Sequence, residues 1–209
     1  MVHGITVDGC NPGNWAEPGV YESLERGRAT ALNATIAIWE GLEETVDATA
    51  AWHRRFRERS DTLLQVRTAQ DIVCVHETGR SGIILDRRNL SPIENDLEGL
   101  EAFAVLGVRV AQPACNIRNL VANGCREPHD EGLSLFGVKV VKRLNELGIL
   151  VDLSHVGDRS GLHAIEGLET NAEIPSIASG LGKRGYGREE VDKIMGGDWM
   201  RLYREVWGA

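Results

Sequence analysis

The chain has 209 residues, of which 42% are hydrophobic and 26% are charged, a composition typical of a globular protein with a sizeable core. Its formal net charge of −8, with Lys and Arg scattered among Asp and Glu, argues against nucleic-acid and anionic-membrane surfaces. No apolar stretch approaches the ~18–20 residues of a membrane span, and the first ten residues lack signal-peptide features. We therefore expect a cytoplasmic protein with no membrane or nucleic-acid partner.

Strand-like and helix-like segments alternate along the chain. Apolar and β-branched runs predict strands near residues 4–8, 29–38, 81–86, 107–113 and 149–154. Helical spacing predicts helices over residues 41–60, 91–106 and 132–148, the last with Gly148 just past its end. This alternation implies a parallel sheet, either doubly wound or part of a (β/α)8 barrel.

Residues 172–209 contain no strand candidate and are predicted to form three short helices. The pattern is therefore about five strands followed by helices, whereas a closed barrel of this type needs eight strands.

Polar side chains follow the last predicted strand at once. The apolar run Ile149–Val151 leads into Asp152, Ser154 and His155. In parallel α/β sheets and barrels, ligands bind at the carboxyl ends of the strands. An imidazole at the end of a barrel strand is held by the sheet and aimed into the mouth of the barrel, as a metal ligand requires.

Three segments carry a resemblance to a known family: EAFAVLGVRVAQPACNIRNLVANGC, GLSLFGVKVVKRLNELGILVDLSHVG and GYGREEVDKIMGGDWMRLYREVW. They resemble the membrane (renal) dipeptidase family. The resemblance implies a hydrolase and metallopeptidase that uses a pair of zinc ions to cleave dipeptides, on a (β/α)8 TIM barrel. It also implies small peptides as substrates.

The resemblance implies site residues position by position. His155 matches the zinc-ligating histidine of the family's D-L-S-H motif, and Asp152 or Ser154 would orient it. Cys10 stands where the family's first strand supplies a histidine, so Cys10 is the second implied metal ligand. No catalytic residue is assigned.

Substrate contacts are implied after the fourth predicted strand. The family carries a substrate-contacting side chain there, and this chain has Cys115 and Asn116. Where the family has a bridging carboxylate, Asp86 is the candidate substitute, beside the cations Arg87 and Arg88.

The resemblance also implies ~130 further residues after about residue 171, a domain-scale amount that holds the last barrel strands. We therefore expect a single metal-dependent-hydrolase-like domain over residues 1–209, built as an incomplete barrel.

Two functions from different classes follow. The first is zinc-dependent dipeptide hydrolysis, with weak or substoichiometric zinc binding and near-background activity. The reasons are that Arg87 and Arg88 stand near the position of the bridging carboxylate, that Pro12 replaces a ligand, and that the family's second histidine and late aspartate have no counterpart. The alternative is a non-catalytic half-barrel that binds a small molecule or assembles as a homo-oligomer such as a dimer, since an incomplete barrel leaves open sheet edges. A third reading is a shortened chain that folds poorly.

Overall fold

The structure, a computed structural model, describes residues 4–27, 29–166, 193 and 197–208. These residues fall into two compact units. Of the described residues, the first unit contains 4–27, 29–34, 55–84, 193 and 197–208, and the second contains 35–54 and 85–166. The single domain expected over residues 1–209 stays a prediction.

Six strands form one sheet within the described part of the chain. They are β1 (Val7–Asn11), β2 (Ala31–Ala37), β3 (Leu63–Gln65), β4 (Ser81–Arg88), β5 (Val108–Gln112) and β6 (Leu150–Val151). The strand order is β1-β2-β4-β5-β6, with β3 paired to β4, and the β1–β2, β3–β4, β4–β5 and β5–β6 pairs are parallel. The sequential order of the five predicted strands is confirmed.

The strand count and bounds differ from the prediction in ways that have local causes. β3 was not predicted because three residues are too few to show a hydrophobic period. β6 ends at Val151, earlier than predicted, because the Asp152 carboxylate accepts a hydrogen bond from the Ser154 amide and turns the chain. The first strand, β1, begins later than predicted and contains Cys10.

Five helices lie in the connections between successive strands, and two further described helices follow β6. Those described are α1 (Pro18–Gly27), α2 (Leu42–Glu58), α3 (Ala69–Thr78), α4 (Glu98–Leu106), α5 (Leu135–Glu146), α6 (Asp158–Glu166) and α7 (Asp198–Trp207). The predicted helices over 41–60 and 132–148 correspond to α2 and α5, and Gly148 has the left-handed backbone (φ 62°) expected past a helix end. Of the three helices predicted in residues 172–209, only α7 lies in the described part.

The helix predicted over residues 91–106 is wrong in its first half. Ser91–Ile93 is a 3-10 turn, and α4 begins only at Glu98. The Asn89 side chain accepts hydrogen bonds from the amide and hydroxyl of Ser91, and Glu94 has a φ of 47° that a helix does not accommodate.

The hydrophobic core of the second unit lies between α4, α5 and the strands β5 and β6. Leu100 and Phe103 of α4 and Val140 and Leu144 of α5 are buried against Val108. This layer fixes where the carboxyl ends of β5 and β6 lie. None of the described helices is long and apolar enough to cross a membrane.

Replacing Phe103 with alanine should test this core directly. Phe103 is 1% exposed, so Phe103→Ala should lower the free energy of unfolding by roughly 3–5 kcal/mol, measured by urea unfolding. Val105 lies on the same helix but is 76% exposed, so Val105→Ala should change the free energy of unfolding by less than about 0.5 kcal/mol. Equal effects of the two substitutions would contradict the packing of α4.

Candidate functional site

A buried arginine lies between two buried aspartates in the second unit. Every residue of β4 is buried, so the charged residues at its carboxyl end are inside the protein. Arg88 Nη2 lies 2.9 Å from Asp86 Oδ2, and Arg88 Nη1 lies 3.1 Å from Asp152 Oδ2. Asp86 and Arg88 are two residues apart and therefore on the same side of the strand, and Asp152 follows β6.

Two neutral side chains complete this group of charges. The Ser154 hydroxyl donates to Asp152 Oδ2 at 3.0 Å and accepts from Arg88 Nη1 at 3.0 Å. Gln112 Nε2 donates to Ser154 Oγ at 2.8 Å and also to the Ser154 carbonyl. The five residues Asp86, Arg88, Gln112, Asp152 and Ser154 are called the Arg88 cluster below. They come from the carboxyl ends of β4, β5 and β6.

The Arg88 cluster contains two carboxylates and one guanidinium. The pKa of Asp86 is raised to about 7, chiefly because burial removes the ionised form from solvent; the Arg88 charge opposes this rise and the nearby Asp152 charge adds to it. Arg88 Nε and Nη2 both face Asp86 Oδ2, whereas no hydrogen-bond donor of the described residues reaches Oδ1. A single proton on Asp86 makes the cluster electrically neutral.

Arg87 is also buried but belongs to a different set of contacts. Its Nη2 donates to the Glu40 carbonyl at 2.8 Å, and its Nη1 donates to the Arg88 carbonyl. The pKa of Arg87 is lowered to about 10, because burial disfavours its charge more strongly than the Glu40 and Asp86 carboxylates favour it. Arg87 therefore fixes the backbone around the carboxyl end of β4 rather than pairing with Asp152.

His155 is exposed and held by Asn116. Its Nδ1 lies 2.9 Å from Asn116 Oδ1, which can only accept, so Nδ1 donates this hydrogen bond; in the neutral ring the lone pair then belongs to Nε2. The expectation that Asp152 or Ser154 orients this ring is wrong, since both face Arg88 instead. His155 and Asn116 each have a positive φ, 59° and 62°, a conformation that side chains other than glycine adopt at a cost.

The loop over residues 113–126 is bonded to the turn that carries His155. The His155 carbonyl accepts from the Asn116 amide at 3.2 Å and from the Cys125 amide at 2.9 Å. Gly124 pairs with Val156, and a Cβ on Gly124 would lie 2.1 Å from the Asn116 backbone, so only glycine fits there. These bonds compensate for the strained backbone and position the imidazole.

The cysteines of the implied site have different surroundings. Cys115 is buried, and burial raises the pKa of its thiol, while the Arg88 charge acts in the opposite direction. Cys10 is an exposed residue of β1 in the first unit, and its amide donates to Asp8 Oδ1 at 3.1 Å. His155 lies in the second unit, and the assignment of Cys10 and His155 as metal ligands stays a prediction, as does substrate binding by Cys115 and Asn116.

The described residues do not fit a pair of zinc ions. Within them, no group of three or more His, Cys, Asp or Glu side chains is arranged to hold a metal. Arg88 contributes to this, because its guanidinium pairs with the carboxylates at the end of β4 and after β6. Sequence reasoning placed Arg88 near this position but missed its pairing. The spacing of Asp86 and Arg88 on one strand face was the available signal.

The raised pKa of Asp86 predicts how stability depends on pH. The folded protein binds a proton at Asp86 more tightly than the unfolded chain does. The protonated carboxyl therefore makes its full contribution to the free energy of unfolding below about pH 4, and this contribution is lost as the pH rises through about 7. The free energy of unfolding of the wild type relative to Asp86→Asn should therefore fall over this range, by on the order of 3 kcal/mol. Urea unfolding at several pH values measures this difference.

The control for this titration is Glu98→Gln, which removes an exposed carboxylate from α4. Its stability relative to the wild type should change little with pH. The decisive quantity is the free energy of unfolding of the wild type minus that of Asp86→Asn. If this difference stays constant or rises from pH 4 to pH 7, Asp86 is ionised throughout this range.

Comparisons with known proteins agree on one family. The family model for membrane dipeptidase, peptidase family M19, matches residues 20–166. Dipeptidase verJ of Clonostachys rogersoniana is 29% identical over 131 residues, which is 62% of this chain and 34% of the relative. The chain thus spans about a third of the length of this curated relative.

Solved structures show the same fold. An amidohydrolase from Pseudomonas aeruginosa superposes with a TM-score of 0.86 at 23% identity, covering 100% of this chain and 98% of that one. A metallo peptidase from Rhodobacter sphaeroides, liganded with a phosphinate mimic of the dipeptide L-Ala-D-Ala, gives a TM-score of 0.66 at 18% identity, covering 78% and 62%. These structures and the strand order agree in fold, and the family model that matches residues 20–166 shows the family: this chain belongs to the membrane dipeptidase family, peptidase family M19.

Proposed function

We propose that this chain binds small peptides at the carboxyl ends of β5 and β6, and that it does not by itself hydrolyse them through a pair of zinc ions. The observation that carries the second part is the Arg88 ion pair with Asp86 and Asp152. A zinc pair brings about four positive charges to one place and needs carboxylates that are available as ligands. Arg88 uses them already.

Peptide binding is supported by what lies exposed beside the Arg88 cluster. His155 offers the lone pair of Nε2, which accepts a hydrogen bond from a peptide amine. Arg126 is exposed, and its amide donates to the Asn116 carbonyl at 2.9 Å, so Arg126 and His155 flank the same residue. A guanidinium binds a carboxylate through two parallel hydrogen bonds. A dipeptide zwitterion carries both complementary groups.

The zinc requirement, the cytoplasmic location and the dimer stay predictions for this chain. So does the alternative of a non-catalytic module that assembles with itself. Family membership makes a small peptide the first ligand to test, and the ligand of the Rhodobacter sphaeroides protein suggests L-Ala-D-Ala.

Calorimetric titration of the purified protein with L-Ala-D-Ala in the presence of EDTA tests peptide binding. We expect saturable binding that Arg126→Ala weakens by roughly tenfold or more, because the peptide carboxylate loses a charged partner. Arg159→Ala removes an exposed arginine from α6 and is the matched control, with unchanged affinity.

Hydrolysis of the same dipeptide is measured with and without added zinc. We expect rates at or near background in both cases. Turnover at the ordinary enzymatic rate of ~10 s⁻¹ with two tightly bound zinc ions would overturn the proposal, and so would the absence of any binding in EDTA.

A further inference from the structure

The carboxylate of Asp130 accepts hydrogen bonds at the start of α6. Asp130 lies in the connection between β5 and α5 (residues 113–134), called the β5–α5 connection below. Its Oδ2 accepts from the Arg159 amide at 2.6 Å and from the Ser160 amide at 3.2 Å, and its Oδ1 accepts from the Ser160 hydroxyl at 2.8 Å. Amides in the first turn of a helix have no partner within the helix. Asp130 therefore caps α6 from a segment that lies far before it in the chain.

Gly157, the residue before α6, leaves room for this carboxylate. A Cβ on Gly157 would lie 2.4 Å from Asp130 Oδ2, so a larger residue there would displace the carboxylate. The residue before a helix ordinarily caps it through its own side chain, and glycine has no side chain for this role. The cap of α6 thus comes from Asp130.

The same contacts join the β5–α5 connection to the turn that carries His155. The Ser160 hydroxyl also accepts from the Asn123 amide at 3.1 Å, and the Gly157 amide donates to the Asn123 carbonyl at 2.8 Å. Asn123 and Ser160 are 3% and 0% exposed, so water does not compete for these bonds. Because Gly157 lies two residues after His155, the bonds fix the connection directly beside the imidazole.

The negative charge of Asp130 suits this position. Partial burial acts to raise the pKa of Asp130, but the hydrogen bonds from Gly132, Ser160 and Arg159 together outweigh burial and keep it below its ordinary value. The helix dipole also favours an anion at the N-terminal end of a helix. Hydrogen bonds to an ionised acceptor are roughly twice as strong as those between neutral groups. The ionised carboxylate therefore ties the connection to α6 more firmly than an uncharged side chain would.

We propose that Asp130 is a positioning residue of the peptide site: it holds the β5–α5 connection, with Asn116 and Arg126, against the turn that carries His155. This inference rests on the proposed peptide site. Asp130 acts through the relative position of Arg126 and His155, the groups proposed to bind the two ends of the peptide. A helix cap without this role would stabilise α6 and leave peptide affinity unchanged.

A double variant separates capping from positioning. Asp130→Ala removes the carboxylate, and adding Gly157→Ser supplies a local cap in the space that it leaves, at a residue whose φ is not positive. Asp130→Ala should lower the unfolding temperature and weaken binding of L-Ala-D-Ala in EDTA by roughly tenfold or more. The double variant should regain most of the unfolding temperature but not the affinity, because the introduced hydroxyl caps α6 without bonding to the connection.

Amide hydrogen exchange measures the positioning without any peptide. In the wild type the Arg159 amide should be protected, and so should the amides of Asn116 and Cys125, which bond to the His155 carbonyl. Asp130→Ala should speed exchange at all three by about tenfold or more. The double variant should restore protection in the first turn of α6 but not at Asn116 and Cys125.

Asp158→Asn is the matched control. It removes an exposed carboxylate from the same end of α6 and leaves the contacts of Asp130 in place, so peptide affinity and amide exchange should match the wild type. Asp130→Asn is the second variant in case Asp130→Ala does not fold, since its side-chain oxygen still accepts from α6 but carries no charge. It should weaken peptide binding by several-fold.

The inference is overturned if the double variant regains peptide affinity together with stability, because Asp130 is then a helix cap and nothing more. It is also overturned if Asp130→Ala and Asp130→Asn both bind the peptide as the wild type does, if both fail to fold even with Gly157→Ser added, or if the wild-type Arg159 amide is unprotected. A wild type that does not bind L-Ala-D-Ala overturns the peptide site instead, and exchange at Asn116 and Cys125 then decides whether Asp130 holds the connection in place.

Discussion

A buried positive charge must be balanced where it lies, and in the second unit this constraint falls on Arg88. Its side chain is 4% exposed, and its balance comes from Asp86 on its own strand and from Asp152 after a distant one. Removing one partner of a buried ion pair leaves an uncompensated charge, which costs several kcal/mol. The carboxyl ends of β4 and β6 are therefore tied together through one guanidinium.

The position of the exposed groups depends on this arrangement. Asp152 accepts hydrogen bonds from the amide and hydroxyl of Ser154, which ends β6 and turns the chain toward His155. The turn is then bonded to the loop over residues 113–126, where Asn116 holds the imidazole. The strained backbone of His155 and Asn116 persists because these bonds surround it. The buried cluster thus leads, contact by contact, to the peptide-binding groups proposed here.

Much of the fold could be predicted from the sequence for two reasons. Hydrophobic periodicity is a local property of the sequence, and strand order follows general rules for the connections of parallel sheets. The alternation of segments predicted five strands in their observed order, and the helix over residues 132–148 followed from spacing alone. The strand β3 has only three residues, too few to show a hydrophobic periodicity. The irregular segment before α4 depends on the hydrogen bond from the Ser91 amide to the Asn89 side chain, which hydrophobic periodicity does not reveal.

The site was less accessible to sequence reasoning. The D-L-S-H motif located His155, but its partner Asn116 comes from another loop, and the expected partners Asp152 and Ser154 face Arg88. The adjacent residues Arg87 and Arg88 suggested that the charge differs from the family's at the position of the bridging carboxylate. Which of the two pairs with Asp152 depends on the face of β4 from which each side chain projects. Arg88 shares the side of Asp86, whereas Arg87 contacts the Glu40 carbonyl. Tertiary pairing of this kind is invisible in one sequence.

The most direct measurement is X-ray diffraction at the zinc absorption edge from crystals of the wild-type protein grown with excess zinc. We expect the Arg88 guanidinium to lie between Asp86 and Asp152, with no anomalous peak within the roughly 2–3 Å of either carboxylate that zinc ligation requires. A zinc peak bound to these carboxylates, with Arg88 turned away from them, would contradict the central claim.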